Sequence, residues 1–277
     1  MTSYVHKVSE REEEKIRNFL LVLAAGTAVF VVIIILAILT ADRWLTLISH
    51  ESERRFIEPY IAWSDENLLG TTDPLLQAYV ETLTHEISAE FNLDESLQLN
   101  VRVIEGGPIN AFAMLGGNLF IFEDLIASLD SENSLAMILA HEIAHAHNRD
   151  PLLGAGRGIL LQLSVSTISG GGIDPDTVNV GSDLMLNTYS RAQESAADRL
   201  ALTALHNRYQ HVGGATGLFQ LLNVAGDTPD TVEILSTHPN IEHRIQDIEK
   251  MARDNEWRSG ETRPFPPEIA AILQRRR

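Results

Sequence analysis

The chain has 277 residues, with 21 Lys and Arg against 38 Asp and Glu, a formal net charge of −17 at pH 7. That length can bury a core in one or two domains, and the acidity argues against nucleic-acid binding, which needs clustered Lys and Arg to neutralise phosphates. Cysteine is absent, which excludes a disulfide framework, a thiol nucleophile, a thiolate metal site and a lipidated cysteine, so a metal must be held by Asp, Glu or some of the ten histidines.

Asn18 to Ala41 (NFLLVLAAGTAVFVVIIILAILTA) carries no charge and is bounded by Arg17 and Asp42. A membrane-crossing helix needs about 20 mostly apolar residues, so the run predicts a single transmembrane anchor over 18–41, with the lipid bilayer as its partner. A helix of a soluble core would keep a polar face, and a cleaved signal peptide would have a shorter apolar run before a small-residue cleavage site. Lys7, Arg11, Lys15 and Arg17 precede the span, against Arg43, Arg54 and Arg55 after it. This bias predicts residues 1–17 as a cytoplasmic tail and places the main domain outside, in the periplasm of a bacterium whose inner membrane holds the anchor.

Residues 42–70 mix charges with Trp44, Phe56 and Trp63 and read as a juxtamembrane stalk. Thr72 and Asp73 ahead of Pro74 open a helix running to about Phe91. Leu97 to Ile104 reads as a strand, stopped by Gly106-Gly107-Pro108. Ile109 to Leu115, Gly116-Gly117 and Asn118 to Phe122 read as a hairpin. Asp130-Ser131 caps a helix over 132–148, and further helices are predicted from Ser190 to Asn207 and from Pro239 to about Asp254. The apolar stretch Gly158 to Ile168 is too short to cross a bilayer and is expected to pack over the site or touch the membrane surface. The fold class is therefore α+β and mostly helical, with a small β-sheet in a main domain over 71–257 and a short C-terminal tail over 258–277.

The chemistry concentrates at His141-Glu142-Ile143-Ala144-His145. Two histidines four apart on a helix project from one face and can grip one ion; zinc suits imidazole and carboxylate ligands, and a catalytic site leaves one position for water. Glu142, offset round the helix from His141, can take a proton from that water. Two surface histidines would share the spacing, but the frame LAMILAHEIAHAHNRDP is apolar, as a buried active-site helix requires. His147 points to another side and reads as an exposed or supporting histidine. Spacing alone leaves Glu194, Asp198, His206 and His238 as candidates for a third ligand.

Four motifs in order resemble the membrane-associated HExxH zinc metallopeptidases that include HtpX, the CAAX prenyl proteases and the BepA-type proteins. They are Asn110-Ala111-Phe112-Ala113 ahead of Gly116-Gly117; HEIAH; SRAQESAAD over 190–198; and Thr237-His238-Pro239 with Arg244-Ile245. They span residues 110 to 245. The resemblance implies a zincin-like (gluzincin) fold for 71–257 and a metal site of His141, His145 and Glu194 holding one Zn2+ per chain. It also implies Asp198 as a carboxylate steadying a ligand imidazole, and His238 and Arg244 as catalytic groups that contact the substrate backbone or support the oxyanion. His238 is also open to reading as a helix cap or as an inhibitory ligand of the resting metal. Asn110 reads as part of a substrate-binding edge or simply as a turn residue.

Two features depart from those relatives: only one convincing span is present, where HtpX and the CAAX enzymes look polytopic, and about twenty residues follow the last predicted helix, where the BepA-type proteins carry a helical-repeat extension. The expected function is a membrane-anchored zinc endopeptidase of envelope protein quality control, acting on misfolded or membrane-associated proteins or peptides. A non-proteolytic zinc-bound chaperone or scaffold for envelope protein assembly is the competing reading, against which the intact Glu142 weighs. A plain anchored interaction domain, binding no zinc, is the third.

Overall fold

The structure, a computed structural model, describes residues 10–67, 72–169, 189–225, 238 and 241–275. Helix α1 (Glu10–Leu45) contains the apolar run and extends beyond it on both sides. It leaves its large apolar side chains exposed, as a core helix would not, and it is the one helix among the described residues long and apolar enough to cross a membrane.

The stretch expected as a stalk is not a bare linker. It contains α2 (His50–Asn67), whose Ile57 and Ile61 are buried against the sheet. Then α3 (Pro74–Ser88) begins where expected, with Asp73 accepting from the Leu75 N–H and Pro74 in the first turn, where no N–H is needed.

Three strands follow: β1 (Asn100–Ile104), β2 (Ala111–Met114) and β3 (Asn118–Phe122). Their order is β1-β3-β2, with β1 parallel and β2 antiparallel to β3, so β2 is an edge. The β2–β3 pair is the expected hairpin, with Leu115-Gly116-Gly117 at its turn and both glycines at positive φ. The strand expected from Leu97 starts only at Asn100. Val101, Val103, Ala113, Leu119 and Ile121 face the main core, while Phe112, Met114 and Phe120 face α2 and Leu152. Both faces are covered, which is why these strands read as apolar runs rather than as a strict alternation.

After α4 (Glu123–Ser128), helix α5 (Glu132–His147) runs through the centre, buried from residue 132 to 146 and capped by Ser131, whose hydroxyl accepts from the Ser134 N–H. It packs along α7 (Arg191–Tyr209) and against β2. Between them in sequence, α6 (Asp150–Ser169) packs against α1, with Gly156 against Leu45 and Arg157 donating to Asp42 at 3.0 Å. Helices α8 (Gly217–Ala225), α9 (Ile241–Asp254) and α10 (Pro267–Gln274) complete the described chain. The segment expected as a tail thus ends in α10, which buries Ile269, Ile272 and Leu273 against α3 and α4.

Candidate active site

His141 and His145 sit one turn apart on α5, their rings edge to face with centroids 4.6 Å apart. Their Nε2 atoms are 3.0 Å apart. Helix α7 brings Glu194 beside them because a capping box fixes its start: Ser190 accepts from the Gln193 N–H, and the Gln193 side chain accepts from the Ser190 N–H. Glu194 Oε2 lies 3.4 Å from His141 Nε2 and Oε1 3.6 Å from His145 Nε2. From the other side, His238 turns Nδ1 toward Glu194 Oε1 at 2.9 Å and His141 Nε2 at 3.3 Å, and Nε2 toward Glu142 Oε1 at 3.6 Å. All five side chains are buried.

These separations fit a metal. Zinc bonds of roughly 2.0–2.1 Å in a tetrahedron place ligand atoms about 3.3 Å apart. Donor atoms of His141, His145, Glu194 and His238 all lie within 4.8 Å of one another. Two imidazole lone pairs facing each other at 3.0 Å also need a cation between them, whether a proton or a metal ion. Glu142 Oε2 and His238 Nε2 are buried and find no hydrogen-bond partner among the described residues, which leaves both available to a substrate.

The ligand rings are held from behind. Asp198 Oδ1 lies 3.0 Å from His141 Nδ1, and Asp150 Oδ2 accepts from His145 Nδ1 at 2.8 Å. Each contact leaves Nε2 facing the cluster. Arg244, at the start of α9, grips Asp198 with Nε at 2.8 Å and Nη2 at 2.7 Å, reaches Glu194 Oε2 with Nη1 at 2.7 Å, and lies over the Phe219 ring. Its guanidinium thus meets two carboxylates and, through Nη2, the His141 ring at 3.3–3.4 Å.

Burial and Arg244 pull the His141 pKa down, but Asp198 and Glu194 outweigh them and raise it to about 9. Burial would push Glu194 up; His238 and the neighbouring imidazoles instead hold it well below the usual carboxylate range. Asp198, likewise buried, is held at about 2 by Arg244 and His141. Burial lowers His238 in spite of Glu142 and Glu194 nearby, which favours its neutral form.

The structure therefore brings together His141, Glu142, His145, Glu194, Asp198, His238 and Arg244. Asn110 stands apart. It is buried at the start of β2, its side-chain oxygen accepts from the Ala111 N–H at 2.9 Å and its carbonyl from the Phe122 N–H, and among the described residues no hydrogen bond or ion pair joins it to the histidines. His206 stacks on Trp257 instead, and His147 packs against Phe91.

Sequence reasoning missed three residues. Asp150 carried a faint signal, an acid opening the next helix five residues after His145. Gln193 donates to Asp150 at 2.7 Å, so the capping box and the ligand support are one network. Tyr189 had no pattern to mark it; its ring stacks on His145 at 3.8 Å, and its hydroxyl donates to the Ala113 carbonyl on edge strand β2 at 3.4 Å. Beside His141 and Glu142 opens a narrow apolar cleft, walled by Met137, Ile138, Leu218, Phe219 and Leu222.

The model of the family described as Peptidase family M48 matches residues 74–252. The beta-barrel assembly-enhancing protease of Escherichia coli K12 is 28% identical over 193 residues, covering 65% of this chain and 39% of that protein. The mitochondrial metalloendopeptidase OMA1 of Homo sapiens is 26% identical over 234 residues, covering 77% and 45%. The chain spans less than half the length of either relative. Among solved structures, S. mikatae Ste24p aligns with 18% identity and a TM-score of 0.39, over 85% of this chain and 65% of that one.

Proposed function

The chain belongs to peptidase family M48, a family of metallopeptidases, and from that membership we propose that it is a membrane-anchored, zinc-dependent endopeptidase. The observation that carries this reading is the near-tetrahedral spacing of the His141, His145 and Glu194 donors, with Glu142 one residue along the same helix. Zinc, when bound, supplies Lewis acidity to water and to the scissile carbonyl.

The protein's own groups do the rest. Glu142 takes the proton of the attacking water and delivers it to the leaving amine. His238 donates from Nε2 to the developing oxyanion, the role its unpartnered ring nitrogen suits best. Asp198 and Asp150 keep His141 and His145 oriented, and Arg244 keeps Asp198 and Glu194 ionised and in place. The closeness of His238 Nδ1 to the donors of His141, His145 and Glu194 would also let it help hold the ion when no substrate is bound.

An extended substrate adds as one more strand along edge strand β2, taking over the Ala111 N–H from the Asn110 side chain and the Ala113 carbonyl from the Tyr189 hydroxyl. Substrates are then unfolded or misfolded proteins near a membrane, a reading in keeping with relatives named for beta-barrel assembly and for a mitochondrial location. The charge bias around 18–41 favours a bacterial inner-membrane anchor with the domain in the periplasm, serving envelope protein quality control.

Cleavage of an unfolded protein by the wild type and by Glu142→Gln tests the peptidase. The variant should keep its metal and lose cleavage; a variant that still cleaves overturns the role of Glu142. A Glu142→Gln chain that complements a deletion strain fully supports the scaffold reading instead.

A further inference from the structure

Beyond the anchor, the exposed large apolar side chains among the described residues concentrate in one stretch. Trp44 is 67% exposed, Leu47 76%, Phe56 58% and Trp63 49%, with Ile48 between them; outside residues 18–41 only Ile16, Leu75 and Ile159 lie elsewhere. Even Ile159 belongs to the same end of the molecule, because α6 is pinned to the end of α1 by Leu45 on Gly156 and by Arg157 on Asp42.

At 100° per residue, α2 divides into three sectors. Glu53, Ile57, Ile61 and Ser64 are buried against the domain. Glu51, Arg55 and Glu58 lie toward the far side. Between them runs an uncharged stripe of Ser52, Phe56, Pro59 and Trp63, with the Tyr60 ring 6.0 Å from that of Trp63. Amphipathic aromatic side chains of this kind favour the boundary between lipid headgroups and acyl chains.

The joint between α1 and α2 is built rather than loose. Arg149, at the turn after α5 and with φ of 60°, donates to the Thr46 carbonyl at 3.1 Å, to the Ile48 carbonyl and to Glu53. Glu53 in turn accepts from the Gly116 N–H at 3.1 Å, and a Cβ on Gly116 would come 2.9 Å from Arg54 Cα. The end of the anchor, α2 and the β2–β3 turn therefore share one set of contacts.

We propose that α2 is an interfacial helix, lying on the bilayer with Phe56 and Trp63 in the lipid, so that the β2–β3 turn and its edge strand are held at the membrane surface. The bilayer is the occupant because the stripe continues directly from the end of a membrane-spanning helix, and this rests on α1 being that anchor. With a net charge of −17 and no cation in the stripe, the attachment is apolar rather than electrostatic and insensitive to salt.

The test uses the full chain in vesicles of phosphatidylethanolamine and phosphatidylglycerol, with Trp44→Phe and Trp257→Phe leaving Trp63 as the single tryptophan of three. Trp63 should lose most of its emission to lipids brominated near the top of the acyl chain and little to aqueous iodide, equally at low and high salt. Quenching by iodide alone overturns the proposal. So does shielding from both quenchers, which would mean a protein covers the stripe. A Phe56→Trp reporter in a chain with all three native tryptophans changed to Phe reads the same face independently and should give the same pattern.

Discussion

Asp150 Oδ2 accepts a hydrogen bond from His145 Nδ1 at 2.8 Å, and its other oxygen is held by Gln193 at 2.7 Å. The first residue of α6 thereby fixes the ring of a candidate metal ligand on α5. Removing such a partner typically weakens metal binding about 10–100-fold. Asp150→Ala is expected to show a loss of that size by chelator competition, and Asp150→Asn, which can still accept through its amide oxygen, a smaller one. Equal affinity in all three proteins would remove Asp150 from the account.

The His141 pKa, raised to about 9 from 6.5, sets the direction of a pH effect. In the metal-free protein the ring is charged below pH 9, so the stability it contributes is fully present below pH 6.5 and is lost as pH rises through 9. Metal binding requires the neutral ring. Zinc loading at pH 7.5 should therefore release about one proton from His141, and the release should fade above pH 9. Calorimetry in buffers of different ionisation enthalpy reads this directly; loading at pH 7.5 without proton release contradicts it.

The cleft beside His141 and Glu142 is walled by Met137, Ile138, Leu218, Phe219 and Leu222, and suits an apolar side chain next to the scissile bond. Leu222→Trp should fill it and shift cleavage toward small residues at that position, leaving activity on peptides with alanine there intact. Mass-spectrometric mapping of products from an unfolded protein gives the preference. A variant with the wild-type pattern would place the substrate side chain elsewhere.

Gly117 has φ of 79°, and a Cβ there would fall on the Gln98 carbonyl oxygen. Gly117→Ala is expected to cost about 1–3 kcal/mol, measured by thermal or denaturant unfolding. Gly158, inside α6, has open space around it. Gly158→Ala should be neutral, or stabilising by about 0.5–1 kcal/mol. Equal effects at the two positions would contradict the turn geometry.

Local rules made much of this legible. The long apolar helix, the Asp73-Pro74 start, the Gly-Gly hairpin and the Ser190 cap each depend on neighbours in sequence. The histidine pair was visible because helical periodicity alone sets its geometry. The third ligand was not, since Glu194, Asp198, His206 and His238 differ only in where the tertiary fold carries them: Asp198 behind His141, His206 onto Trp257, and the other two to the cluster. Two elements were masked by composition. In α2 the charges of Glu51, Arg55 and Glu58 obscure the buried pair Ile57 and Ile61, and α10 packs three apolar residues into a stretch with the look of a tail. Asp150 and Tyr189 act across the fold on His145, and nothing local announces such contacts.

Metal analysis of the full chain, purified from membranes as wild type and as Glu194→Ala, tests the central claim most directly. One zinc per wild-type chain and a small fraction of that in the folded variant is the predicted result. A wild type that carries no stoichiometric zinc, or a variant that retains all of it, would contradict the site.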